Sequence, residues 1–149
     1  MPTLLQNSKP SSKTCSRPTI RLAGPSEGEQ IHALWQAAKL PTILGIDWSL
    51  IYGNNWLVAE TDTIVGCVMV QYGIPFGRME YLIVKPGIPK RLRALVVRDL
   101  IYAGLERLSQ YGSQAIYFGS LDTDTAWHRV VERRGAVLIG TGKFYLKKV

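Results

Sequence analysis

The residues best suited to chemistry in this chain run from Val84 to Arg93, "VKPGIPKRLR". An apolar stretch, "MEYLIV", leads in, and an amphipathic run, "RALVVRDLIYAGLERL", leads out. A strand that turns through a Gly- and Lys/Arg-containing loop into a helix is a common way to hold a phosphate. The free N–H groups of the first helical turn and the positive end of the helix dipole then face the anion. This loop has one glycine, Gly87, two prolines, and four cations, Lys85, Lys90, Arg91 and Arg93. It offers charge and a helix start where a glycine-rich cradle would be expected.

Other residues carry weaker signals. Cys15 and Cys67 have no metal or redox spacing and read as reduced thiols in a cytosol-like compartment. No metal site is expected. His32 reads as a surface or packing residue of the first helix. Asp122 and Asp124 read as helix caps or as a carboxylate pair. "KFYLKK" alternates basic and aromatic residues as an ordinary terminal strand does, with Lys143 and Lys147 outward.

These residues need elements to position them. "TIRLAG" reads as a first strand. In "PSEGEQIHALWQAAKL", Ser26 and Glu29 have capping-box spacing, and Ile31, Leu34, Trp35 and Ala38 mark one helical face. "PTILGIDWSLIYGNN" reads as a short helix within a loop. "WLVAETDTIVGCVMVQYG" is a hairpin turning at Thr61 to Thr63. "RMEYLIVK" follows as a strand, with Glu80, Leu82 and Val84 on one face and Met79, Tyr81 and Ile83 on the other. The next helix carries a stripe of Leu92, Val96, Leu100 and Ala103, widened by Leu95. "QAIYFGS" is a strand. "DTDTAWHRVVERRG" is a helix with Trp127, Val130 and Val131 inward, stopped at Gly135. "AVLIGTGKFYLKK" ends the chain as one bent strand or two short ones. Strands and helices alternate around a hairpin, which predicts a mixed sheet with helices on both faces.

A chain of 149 residues fits one domain, with 46% hydrophobic and 19% charged residues. No uncharged apolar run reaches the roughly 18 residues that would span a membrane. The net charge is +7, and Lys9, Lys13, Arg17 and Arg21 contribute four of those charges with no acid among residues 1–22. The charge left on the body is too modest to argue for a nucleic-acid groove. Residues 1–18, rich in Ser, Pro and Lys, read as a basic arm, flexible or ordered on a partner, ahead of a domain over residues 19–149.

The order of elements resembles the GNAT superfamily of N-acetyltransferases, over about residues 19–148. "WLVAETDTIVGCVMV" looks like its central hairpin, and "MEYLIVKPGIPKRLRALVVRDLIYAGLERL" like its fourth strand, acetyl-CoA loop and following helix. "DTDTAWHRVVERRGAV" looks like the helix whose family form is Asn-x-x-Ala…Tyr-x-x-x-Gly-Phe. The resemblance implies an α/β (α+β) fold with a mixed, mostly antiparallel sheet of six to seven strands and helices on both faces. It also implies acetyl-CoA as co-substrate, a small-molecule or peptide amine as acceptor, and a cytoplasmic location. The pantetheine would lie between "YLIVK" and "AIYFG", bonded by backbone around Ile83, Val84 and Lys85. The pyrophosphate would lie near Lys90, Arg91, Arg93 and Ala94. Trp48, Tyr52 and Trp56 fall in or beside the segment that lines acceptor sites and read as pocket walls or as aromatic core packing.

The chain departs from the family in several places. The family loop, Gln/Arg-x-x-Gly-x-Gly/Ala, is matched by Pro89-x-x-Leu92-x-Ala94. The family's thiolate-protonating Tyr falls at Val131, leaving Tyr117, Tyr145 and His128 as candidate substitutes. The Asn falls at Asp124. The catalytic Glu of histone-modifying members falls at Arg78, and Glu80 two residues further on reads either as a group that orients or deprotonates the amine or as a strand-end carboxylate paired with Arg78. Two readings follow. One is an N-acyltransferase with an altered CoA site. The other is a non-catalytic GNAT-like structural or adaptor module, such as a phage virion component, that joins a homo-oligomer or larger assembly through its basic arm.

Overall fold

In the computed structural model, residues 16–39, 55–119 and 125–137 are described. They contain β1 (Thr19–Leu22), α1 (Gly28–Ala37), β2 (Trp56–Glu60), β3 (Ile64–Gln71), β4 (Phe76–Val84), α2 (Lys90–Tyr111), β5 (Ala115–Phe118) and α3 (Thr125–Glu132). The described strands form one sheet in the order β1-β2-β3-β4-β5. Neighbours are antiparallel from β1 to β4, and β5 joins β4 in parallel. The sheet is therefore mixed and mostly antiparallel. Five strands are described where six to seven were expected. The remainder was expected over residues 136–148, of which Ala136 and Val137 lie outside any strand and the rest lie outside the described residues.

Two apolar clusters sit on opposite faces of the sheet. Ile31, Leu34 and Trp35 of α1 pack on Trp56, Val58, Ile64 and Cys67. Leu92, Val96, Leu100 and Leu108 of α2, with Val131 of α3, pack on Leu57, Val68, Val70 and Met79. β2 and β3 are covered on both faces, which is why "WLVAE" and "IVGCVMVQ" are nearly continuous apolar runs. The buried thiol of Cys67 has its pKa pushed up by burial. The α2 stripe is wider than its spacing predicts and includes Val97 and Ile101. Gly112, at φ 106, ends α2 with its N–H on the Leu108 and Ser109 carbonyls. Gly66 of β3 lets α2 approach closely, since a Cβ there would stand 2.5 Å from Val96 Cγ1. No helix among the described residues is long and apolar enough to cross a membrane.

The start of α1 differs from the sequence expectation. Ser26 is exposed and no capping box forms; Glu27 occupies the N-cap position without a side-chain cap bond. Its carboxylate is engaged elsewhere. It accepts the Gly24 N–H at 2.6 Å and two guanidinium bonds from Arg21 at 2.5 and 2.7 Å. Arg21 also donates to Glu60 at 2.9 Å, so one arginine ties β1 to β2 and to the entry of α1. The Arg21 hydrogen bond is the main reason that the Glu27 carboxyl falls from 4.5 to about 2, against the opposing effect of burial.

A carboxyl whose folded pKa is depressed stabilises the fold above its unfolded pKa and loses that contribution as pH falls through the folded value. For Glu27 the window runs from 4.5 down to about 2. After discounting for solvent screening, the contribution is about 1–2 kcal/mol. Urea unfolding of Glu27→Gln should show that deficit at neutral pH and a shallower fall in stability across the acid window. A slope equal to that of the unmodified protein would remove Glu27 as its source.

The end of the expected arm is tied to the domain. Pro18 is buried, and Arg17 Nε lies 3.0 Å from Asp99 Oδ2 on α2. Asp99 is 7% exposed and also accepts a bond from Arg98. Burial pushes its pKa up, but the bonds from Arg98 and Arg17 outweigh that and the net shift is downward.

Candidate active site at a cleft between two strands

β4 does not alternate as a regular strand. Val70 and Met69 of β3 face Met79 and Glu80, whereas Cys67 and Gly66 face Ile83 and Val84. One extra residue is thus inserted into β4 beside Tyr81, which has φ 55. This is a β-bulge, and it reverses the side-chain parity beyond it. Met79, Leu82 and Val84 pack toward the α2 layer. Tyr81 meets Trp35 of α1 with ring centroids 5.1 Å apart, and Ile83 is buried in the same layer. The two faces expected from strict alternation are therefore corrected at this point. Burial, with a smaller effect of Glu80, pushes the Tyr81 phenol pKa up.

The other edge of β4 is paired over only half its length. β5 runs beside it from Phe76↔Ala115 to Met79↔Phe118, and the Gly119 N–H donates to the Met79 carbonyl at 2.9 Å. Beyond Met79 no described residue of β5 follows β4. The Lys85 N–H donates to Val65 O at 2.8 Å. By the alternation of an antiparallel ladder, Ile83 also directs its main-chain groups at β3, and Val84 directs its N–H and C=O away from β3, toward the edge that no described residue pairs. Of Ile83, Val84 and Lys85, Val84 is the one whose main-chain groups are turned away from β3.

The cleft leads to the start of α2. Gly87 has φ 79 and makes the tight turn after Pro86. No atom lies within 4 Å of a Cβ placed there, so its role is the turn and not a close approach. Pro89 is the N-cap and makes no side-chain cap bond. The Arg93 N–H bonds to the Pro89 carbonyl at 2.9 Å, and the N–H groups of Lys90, Arg91 and Leu92 precede this first helical donor. Leu92, at the position of a family glycine, is 8% exposed and packs in the core. Lys85, Lys90, Arg91, Arg93 and Ala94 are exposed. The bulk that replaces glycine is directed inward, and small Ala94 remains on the outer side.

At the far end of the cleft, Arg78 and Glu80 form an ion pair at 2.5 Å. Glu80 lies against the end of β5, where a Cβ on Gly119 would stand 3.0 Å from its Cγ. Tyr117 pairs with Arg78 across the strands and its ring meets Phe76 at 5.4 Å. The structure thus brings Glu80 and Tyr117 to one face. His128 is half-buried on α3, which packs with the α2 layer through Val131, and Arg134 covers Tyr102 at 3.7 Å. His128 is therefore separated from that pair. His32 is half-buried on α1. Val131 is 6% exposed within the core. Trp56 is 2% exposed and belongs to the core beneath α1, not to a pocket wall. Trp48, Tyr52, Asp122, Asp124 and Tyr145 lie outside the described residues. Among the described residues no group of three or more His, Cys, Asp or Glu is placed to hold a metal ion.

The feature that sequence reasoning missed is the bulge. Its signal was present: polar and apolar residues alternate through Arg78, Met79 and Glu80, and the alternation then stops in four apolar residues, Tyr81 to Val84.

No protein-family model matches the chain, and no curated protein matches it in sequence. Solved structures do match. A ribosomal-protein-alanine N-acetyltransferase from Brucella melitensis biovar Abortus 2308 superposes with a TM-score of 0.68 at 14% identity, over 89% of this chain and 100% of that one. AAC(6')-Iy, bound to a bisubstrate analogue of CoA and acetylneamine, gives 0.67 at 18% identity, over 90% of this chain and 100% of that one. A GNAT family acetyltransferase from Streptococcus pneumoniae TIGR4 gives 0.65 at 16% identity, over 89% and 99%. With its mixed sheet and its helices on both faces, the chain has the fold of the GNAT acetyltransferases.

Proposed function

We propose that this domain transfers an acetyl group from acetyl-CoA to an amine, with the cleft between β4 and β5 as the seat of the co-substrate. The observation that carries this reading is the edge of β4 from Glu80 to Val84, which no described residue of β5 pairs and which leads to a basic helix start without a side-chain cap. At roughly 3.3 Å per residue the edge is about 17 Å long, enough for an extended chain. Val84 offers a donor and an acceptor for an amide of pantetheine. The first N–H groups of α2, with Lys90, Arg91 and Arg93, suit the pyrophosphate. Glu80 and the Gly119 end of β5 stand at the reacting end.

The thioester supplies an activated acyl carbon, which passes to the amine nitrogen as the carbon–sulfur bond breaks and CoA leaves as its thiol. Glu80 holds the acceptor and takes the proton that its ammonium must lose before attack. The CoA-linked analogue held by AAC(6')-Iy supports a small-molecule amine as acceptor. One observation favours a non-catalytic module instead: buried Val131 stands where the family has its proton-donating tyrosine.

Calorimetry with acetyl-CoA and with free CoA separates the two readings. Binding is expected, and replacing Lys90, Arg91 and Arg93 together with Ala should weaken it about tenfold, from the loss of roughly 1–2 kcal/mol of exposed ion pairing. Added salt should weaken it in the unmodified protein and much less in the triple variant. No heat and no thermal stabilisation at millimolar acetyl-CoA, in folded protein, would sink the catalytic reading.

A further inference from the structure

The face of β4 and β5 beside Glu80 carries a specific chemical pattern. Glu80 is the only acid on the two strands. Its partner Arg78 is 48% exposed and commits one N–H to it. The other guanidinium donors suit a planar carboxylate. Phe76, two residues before Arg78, is 53% exposed, and Tyr117, beside Arg78 on β5, is 44% exposed. A positive group, a negative group and an aromatic pair thus lie together over Phe76 to Glu80 of β4 and Tyr117 of β5.

We propose that the acceptor is a free amino acid with a large apolar side chain. Its amine is held by Glu80, its carboxylate by Arg78, and its side chain by Phe76 and Tyr117. Among the described residues of these two strands one acid stands beside an arginine, a pair that suits a zwitterion better than a polycation. A lysine side chain or a peptide N-terminus would bring no carboxylate next to the reacting amine. The inference rests on the acetyl-transfer reading above and specifies its substrate.

The experiment follows CoA release with L-phenylalanine, L-leucine, L-phenylalaninamide and spermidine as acceptors, alongside acetyl-CoA calorimetry on the same sample. The expected result is a kcat/KM for the two free amino acids about tenfold or more above that for the amide or spermidine, as for the loss of a charge-assisted contact. In Arg78→Ala the ratio between L-phenylalanine and its amide should fall to near one. The acceptor class is overturned, with the acetyl-transfer reading left standing, by any of four results in protein that binds acetyl-CoA. These are an amide used as well as the acid, a preference for spermidine, an acid-to-amide ratio that survives in Arg78→Ala, and no acetylation of either amino acid. Absence of acetyl-CoA binding overturns both readings together.

Discussion

Glu80→Gln should lower kcat/KM for acetyl transfer about a hundredfold at mildly acidic pH, the low end of what a positioned general base contributes. The acceptor amine is an ammonium under those conditions and must lose a proton before it can attack. Glu80 is the group proposed for this; it is 16% exposed, paired with Arg78 and set against the Gly119 end of β5. Glutamine keeps the size and can still accept the Arg78 bond, but it cannot take the proton. The deficit should shrink as pH rises, because more of the acceptor then arrives already neutral. Acetyl-CoA affinity should stay within about twofold, because Val84 and the start of α2 are untouched. Parallel pH–rate profiles for the two proteins would remove Glu80 from the mechanism.

Gly66→Val is expected to have the largest effect on stability. A Cβ at Gly66 would lie 2.5 Å from Val96 Cγ1, 3.1 Å from the Ile83 carbonyl and 3.4 Å from Leu100 Cδ1. A valine adds two methyl groups to that collision, at the contact between β3 and α2. Overpacking of this kind costs about 3 kcal/mol, which for a domain of this length lowers the melting temperature by about 10 °C. Gly66 also faces Val84 across the ladder, so the same change should push α2 away from the free edge of β4. Acetyl-CoA affinity should fall in the fraction that remains folded. A thermal scan within about 2 °C of the unmodified protein would show that α2 is not pressed on β3 as described.

The sheet and its two helical layers were legible because their signals are local. Ile31, Leu34 and Trp35 recur at helical spacing and are buried, and the hairpin turns at Thr61 to Thr63 as its polar residues indicate. The stop at Gly135 was legible from its type, and its φ is 85. What failed depended on partners distant in sequence. Ser26 and Glu29 have the spacing of a capping box, but Arg21 and Gly24 claim Glu27 and make it the N-cap residue. The candidate site was half legible. Glu80 and the basic start of α2 could be named from residue type, but their separation along an open strand edge could not. That separation depends on where β5 stops pairing, which no local pattern encodes. Whether Leu92 blocks an anion was likewise undecidable from its name, because the answer is the direction of its side chain.

The bulge at Tyr81 also bears on how such a site withstands sequence drift. A glycine-rich loop is specified by kinds of residue, and each substitution erodes it. The reversal of parity in β4 is specified by a count: three steps of one strand set against two of its neighbour. Substitutions change kinds and leave counts alone, whereas a one-residue deletion changes the count and leaves most kinds alone. A chain can therefore carry a bulky residue such as Leu92 at the start of the helix and still keep the parity of its strand. The mutational event that threatens the cleft is an insertion or deletion within Glu80 to Ile83, not a substitution in the loop.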